Sequence, residues 1–151
     1  MPDVIRTKIE GVAELKTALE GLGTEVATKV GVAANRATAR EYQATLKQVA
    51  PYDPRDKVQR GMVRPYGHLR DNIKVTRKKA RKQGSIVFWT TIGRAFWGFF
   101  VERGTERMSA KPWMLPAFER TRENLASLQI DQLRTGIERA AKRLARLRGR
   151  G

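Results

Sequence analysis

TEVATKVGVAANRATAREYQATLKQVAP, residues 24–51, decides the fold. The apolar positions step by three and four through 26 residues, which is the period of a helix, and Pro51 forbids its continuation. Thr24 stands where a side-chain oxygen could cap the first turn. The pattern carries two apolar stripes. Val26, Val30, Ala33, Ala37 and Ala44 form one, and Val32, Ala39, Tyr42, Leu46 and Val49 form another about a quarter turn away. A surface helix of a monomer needs one stripe facing its core. The extra stripe, small and alanine-rich, is expected to pack on another element or on a neighbouring subunit.

Upstream, Val12, Leu15, Leu19 and Leu22 predict a shorter helix that stops around Gly21 to Gly23. Before it, Val4 to Ile9 alternates as a strand with one buried face and ends at Gly11. Downstream, residues 51–67 hold three prolines, two glycines and four bases with little periodicity, and read as a loop. From Leu69 the chain reads as a strand with Ile73 and Val75 on one side. The basic run Arg77, Lys78, Lys79, Arg81 and Lys82 leads to a turn at Gln83-Gly84. A return strand through Ile86, Phe88, Thr90 and Ile92 alternates with Val87, Trp89 and Thr91, and is expected to be covered on both faces. The aromatic run Phe96-Trp97-Gly98-Phe99-Phe100-Val101 enters a turn at Glu102 to Thr105. Pro116 suits the first turn of a last helix, in which Ile130, Leu133, Ile137, Ala140, Leu144 and Leu147 make a heptad-like stripe. Gly136 interrupts that stripe and weakens the helix by about 1 kcal/mol relative to alanine. These elements predict an α+β fold. A small, mainly antiparallel sheet packs against a long central helix and a long C-terminal helix, with residues 1–138 as one domain and 139–151 as a basic helix end or tail.

The chain of 151 residues carries 31 basic and 15 acidic side chains, a formal net charge of +16. The surplus is local. Residues 51–82 hold eleven bases and three acids, and residues 139–151 hold six bases and no acid. Such a balance predicts an anionic partner or a charged surface used in an assembly. Cysteine is absent, which excludes disulfides, thiolate catalysis and cysteine-based zinc sites. One histidine, His68, excludes a multi-histidine metal centre, and His68 with Asp71 offers at most two ligands. Glu102 and Glu106 are separated by Gly104, so they do not share a helical face. Asp53 and Asp56 flank Pro54 as turn residues. No phosphate-cradling glycine loop or nucleophile elbow is present. The longest apolar run, Ala95 to Val101, is far short of the roughly 20 residues that span a bilayer. With no basic and apolar leader after Met1-Pro2-Asp3, a soluble intracellular product is expected.

The hairpin with its basic tip could track phosphates, which makes a DNA- or RNA-binding module one functional reading. Phe88, Trp89 and Phe99 fall in strand or core patterns and are expected to be core residues, not stacking platforms. The C-terminal stripe with Arg139, Lys142, Arg143 and Arg146 is explained by packing on its own domain or on a partner.

Phe100-Val101-Glu102-Arg103-Gly104-Thr105, followed by Lys111-Pro112-Trp113-Met114-Leu115-Pro116-Ala117-Phe118-Glu119, resembles the signature of the tail-completion, or head-tail joining, proteins of long-tailed bacteriophages. Those proteins have an apolar run entering a Glu-x-Gly-Thr turn and a Pro-aromatic-x-x-Pro-Ala-Phe segment opening the last helix. Ala50-Pro51 and Gly67-His68-Leu69-Arg70-Asp71-Asn72-Ile73 are similar as well, and the order of elements agrees from Ile9-Glu10-Gly11 to about Glu123. Arg103 and Trp113 depart from the usual residues, and the loop after Pro51 is long.

The resemblance implies a structural virion protein of the phage neck. It would form a ring, of six subunits, between the head-side connector and the tail tube or terminator protein, with no enzymatic activity, no cofactor and no membrane. The host cytoplasm would be the place of assembly, and non-specific contact with DNA in the channel is a further expectation. Glu102, Gly104, Thr105, Pro112, Trp113, Pro116 and Phe118 are then the candidate assembly residues, and Arg77, Lys78, Lys79, Arg81 and Lys82 the candidate anion contacts. Gly104 is expected at positive φ, with Phe99 and Phe100 anchoring one side of the turn, Pro112 and Trp113 the other, and Phe118 starting the helix against the same core. Glu102 is expected to meet a base, within its subunit or across a ring interface.

Overall fold

The computed structural model describes residues 12–52, 58–59, 62–63, 67–82 and 84–148, with the backbone alone at Val12, 58–59, 62–63 and Arg148. The elements in order are α1 (Val12–Gly21), α2 (Thr24–Val49), β1 (Val58–Gln59), β2 (Met62–Val63), a 3-10 turn (Leu69–Asn72), β3 (Lys74–Lys78), β4 (Val87–Thr91), α3 (Trp97–Arg103) and α4 (Met114–Arg148). This is the expected α+β arrangement, mainly helical with a small antiparallel hairpin. The expected strand at Val4 to Ile9, the turn residue Gln83 and the residues beyond Arg148 lie outside the described residues.

α2 has 26 residues and α4 has 35, about 39 and 52 Å at 1.5 Å per residue. They form the main packed pair. α4 stays continuous through Gly136 for a packing reason: a Cβ there would fall 2.7 Å from a Val30 methyl of α2. The glycine therefore trades helix propensity for close approach. Thr24 does not cap α2. The capping position is Gly23, which makes no side-chain bond, and Thr24 lies one residue inside. The buried residues of α2 are Val30, Ala34 and Leu46, and Ala50 is buried just past its end. Ala33 and Ala44 of the expected first stripe are exposed, and Ala34, outside both stripes, is buried.

The segment 51–67 is not wholly a loop, because β1 and β2 pair antiparallel within it. Nor does the strand begin at Leu69. Leu69–Asn72 is a 3-10 turn that buries Leu69 and Asn72, and the strand starts at Lys74. β3 pairs with β4 in the register Val75↔Thr90, Arg77↔Phe88 and, on the other face, Lys74↔Thr91, Thr76↔Trp89, Lys78↔Val87. One face turns toward α2, where Arg36 lies over the Phe88 ring at 5.9 Å. The other face is open, with Trp89 55% exposed, so β4 is covered on one side only.

The core sits where the C-terminal end of α2 meets the hairpin base and the start of α4. It joins Leu46, Ala50, Leu69, Ile73, Ile92, Ala95, Trp113 and Ala117. Side-chain amides pin the layers. Gln43 Nε2 donates to the Ile73 carbonyl at 2.6 Å, and Asn35 Nδ2 donates to the Ile86 carbonyl at 3.2 Å while its Oδ1 accepts from Gln129 of α4. Each bond satisfies a polar group that packing removes from water.

Candidate assembly site

The signature residues converge on the junction between α3 and α4. α3 ends because Gly104, at φ +77 and ψ 179, leaves helical space in a region that only glycine enters comfortably, while its N–H still donates to the Phe100 carbonyl at 2.8 Å. Thr105 and Met108 then exchange backbone hydrogen bonds of 2.8 and 3.2 Å, and Thr105 Oγ1 accepts from the Arg107 N–H at 3.3 Å. The Lys111 N–H donates to the Val101 carbonyl at 2.8 Å. This small closed loop returns the chain past α3 and lays Pro112 and Trp113 beside Glu102.

Among the described residues Glu102 is held by backbone N–H groups, not by an ion pair within its subunit. Its Oε2 accepts from the N–H groups of Trp113 and Met114 at 2.6 and 2.8 Å, and its Oε1 accepts from the Leu115 N–H at 3.1 Å. The carboxylate is a remote cap on α4: it satisfies three of the donors that a helix start leaves orphaned, and it sits at the positive end of the helix dipole. Partial burial pushes the Glu102 carboxyl upward, but the three backbone N–H groups, helped by the charge of Arg103, outweigh it and hold the group below its ordinary value of 4.5. Burial, then the Glu102 charge, push the Tyr42 hydroxyl the other way, upward. Tyr42 donates to the Met114 carbonyl at 3.3 Å, so α2 grips the same helix start.

Because the folded value lies below the unfolded one, the cap contributes stability at neutral pH and loses it as pH falls through the folded value. Glu102→Gln, with one carbonyl oxygen left for three donors, is expected to cost about 1 to 2 kcal/mol at pH 7. Denaturant melts from pH 7 to pH 3 check this: the gap between variant and wild type should narrow below pH 4.5. A gap independent of pH would mean that the carboxylate charge is not what holds α4.

Trp113 is 6% exposed and its indole N–H donates to the Gly98 carbonyl at 3.4 Å. Gly98 also lets Leu69 pack closely on α3, since a Cβ there would lie 2.7 Å from Leu69 Cδ1. Pro112 is exposed, as is Pro116 in the first turn of α4. Phe118 is not a core residue. It is 41% exposed and meets Tyr42 edge-on at 5.8 Å. Phe99 and Phe100 do not anchor the turn inward either. Both are 49% exposed, and Trp97 and Val101 pack on the core in their place. Phe96, Phe99, Phe100 and Arg103 thus make one outward stripe on α3, with the Phe96 and Phe100 rings 6.0 Å apart. The spacing of three, four and seven residues was present in the sequence as the signal for that stripe.

The basic residues form a separate surface. Arg77 and Lys78 lie on β3, and Lys79, Arg81 and Lys82 at the hairpin tip, all exposed. Trp89, expected to be core, stands on the open face with Lys78 Nζ 5.5 Å from its ring centre. His68 begins the 3-10 turn with its ring 4.5 Å from Tyr52, and Asp71 is exposed. Among the described residues no three acidic or histidine side chains gather as metal ligands, and no helix is long and apolar enough to cross a membrane.

A family model described as "Bacteriophage HK97-gp10, putative tail-component" matches residues 13–104, from α1 through the end of α3. No curated protein and no solved structure matches the chain.

Proposed function

Because the chain belongs to the HK97-gp10-like family of bacteriophage tail components, we propose that it serves in the neck of the virion, as a ring joining the head connector to the tail tube or terminator protein. The observation that carries this is the outward stripe of Phe96, Phe99 and Phe100 on a helix fixed from below by the Glu102 cap and the Trp113 anchor. Exposed aromatic rings on a rigid support are what a protein interface uses for its central anchors. The signature residues Glu102, Gly104 and Trp113 then act beneath the contact surface and shape it.

Phage lacking the gene, complemented with the wild-type chain or with Phe99→Asp/Phe100→Asp, provide the test. Wild type should restore infectious particles. The variant, folded by circular dichroism, should leave filled heads and separate tails in electron micrographs. Normal particle yield from the variant would overturn the reading, as would an arrest before heads form.

DNA contact is a second reading, favoured by Lys74, Lys78 and Trp89 on one open hairpin face beside the basic tip. Base stacking on an exposed ring is tolerant of sequence, and neutralised phosphates release counterions. Weak, sequence-independent DNA binding that falls steeply with salt is therefore expected. Replacing Arg77, Lys78, Lys79, Arg81 and Lys82 by Gln should lower the salt slope by up to about 4, with little change in melting, since exposed charges contribute little to stability. Salt-resistant, sequence-selective binding would instead identify a nucleic-acid-binding module.

A further inference from the structure

The last ten residues of α4, Arg139 to Arg148, carry five bases and no acid, whereas residues 119–138 of the same helix carry three bases and four acids. An ordinary solvated face mixes signs, as the earlier stretch does. At 3.6 residues per turn, Arg139, Lys142, Arg143 and Arg146 fall within about 100° of arc and about 10 Å of rise, so they form one stripe. All four are exposed, and among the described residues none is in an ion pair. Glu20, Glu25 and Asp131 are each held by a base of their own, Lys16, Lys29 and Arg134. The helix dipole does not account for the stripe, since its effect fades within the last turn and Arg139 lies nine residues before Arg148. Packing does not account for it either. α2 runs antiparallel to α4, with Tyr42 on the Met114 carbonyl and Val30 against Gly136. Because α2 begins six residues before Val30, its support of α4 ends at about residue 142, and the stripe continues past it.

We propose that this stripe binds the phosphate backbone of double-stranded DNA, as a surface distinct from the hairpin. It goes beyond the hairpin reading and is independent of the neck reading. The residue types select the partner. A protein interface puts aromatic and apolar anchors at its centre and is poor in lysine, as on α3, where three exposed rings stand beside Arg103. No apolar side chain lies within the α4 stripe. An anionic membrane takes a helix whose apolar face is free to sink into it, but Ala140 and Leu144 are half-buried on the protein and Leu147 is the one large apolar side chain left open at this end. A single strand is held by rings on which its bases stack. The hairpin offers Trp89 for that, and the α4 stripe offers none. What it presents is a row of charges on a rigid support, which suits the phosphates of a duplex.

Arg139→Gln/Lys142→Gln/Arg143→Gln/Arg146→Gln removes the charges and keeps good helix formers at all four positions. Circular dichroism checks the fold. Binding to a mixed-sequence DNA duplex is followed by fluorescence anisotropy between about 50 and 200 mM salt. The slope of log affinity against log salt should fall by about 3 to 4, near 0.9 for each base removed. The same drop should appear when the hairpin already carries its Gln substitutions, because the surfaces are separate. Arg139→Lys/Arg143→Lys/Arg146→Lys should keep the wild-type slope, since counterion release needs the charge and not the guanidinium shape. A Gln variant with the slope and affinity of wild type overturns the proposal, and DNA contact at the hairpin still stands if the hairpin substitutions weaken binding. Preference for the single strand of the same sequence also overturns it. So does displacement of the duplex from the hairpin-substituted protein by polyglutamate as effectively as by DNA of equal charge, the result expected if the stripe meets an acidic protein. Loss of binding to phosphatidylserine vesicles with none on the duplex would make the stripe a membrane contact instead.

Discussion

Trp113→Ala is expected to lower stability by about 3 to 5 kcal/mol, the range for removing a large aromatic side chain from a packed core. In a chain of this length that corresponds to roughly 6 to 20 °C in melting temperature. The magnitude follows from position. Trp113 is in the main core cluster with Leu46, Leu69, Ile73 and Ile92, it reaches the Gly98 carbonyl, and its own N–H is one of the three held by Glu102. Its loss removes apolar contacts and loosens the start of α4 in one step. Phe118→Ala is the control, five residues along the same segment. With the ring 41% exposed and one edge contact to Tyr42, it should cost about 1 to 2 kcal/mol. Urea melts of the two variants check the contrast. Equal losses would mean that Phe118 is buried in solution, and that the outward surface at the start of α4 is smaller than described.

The helices and the hairpin were legible because their periods are long and consistent. Pro51 and the 26 residues before it admit only one reading, and the pairing of β3 with β4 follows from alternation on both sides of a turn. What escaped was set by tertiary contact. Leu69 to Asn72 contains strand-like spacing, yet Asn72 Nδ2 bonds the His68 carbonyl at 2.9 Å and curls the segment into a 3-10 turn. The buried line of α2 runs through Ala34, not Ala33, because alanines are too small to mark which side of a helix is inside. Gly136 looked like a weakness in α4 and is the seat of Val30.

Similar limits applied at the site. The segment from Phe96 to Phe118 was recognisable as one unit, and the positive φ at Gly104 was expected from its type and place. The partner of Glu102 was not. A carboxylate in a chain of net charge +16 suggests a base, and nothing local in sequence shows that three backbone N–H groups eleven to thirteen residues on will present themselves instead. Aromatic residues misled in the opposite sense. Hydrophobicity alone places Trp89, Phe99 and Phe100 inside, but an α+β domain of this size with two long helices has more apolar side chains than its core admits. The excess emerges on α3 and β4.

Gly104→Val tests whether the loop between α3 and α4 is the frame for that excess. At φ +77 and ψ 179 a β-branched residue is strained by about 1 to 3 kcal/mol. The new Cβ would also lie 2.8 Å from the Ala110 nitrogen and the Met108 carbonyl oxygen, which are backbone atoms that cannot rotate away. The loop must shift, and it carries Lys111, whose N–H is tied to Val101, and then Trp113. A total loss of about 3 kcal/mol or more is therefore expected, larger than for Glu102→Gln. Amide hydrogen exchange locates the damage. The N–H groups of Trp113, Met114 and Leu115 should lose protection first, since the shifted loop withdraws them from Glu102, while amides in the middle of α2 should follow only the global loss. If the variant melts like wild type and those three amides keep their protection, the cap does not depend on the glycine turn, and the aromatic stripe of α3 is held by the core alone.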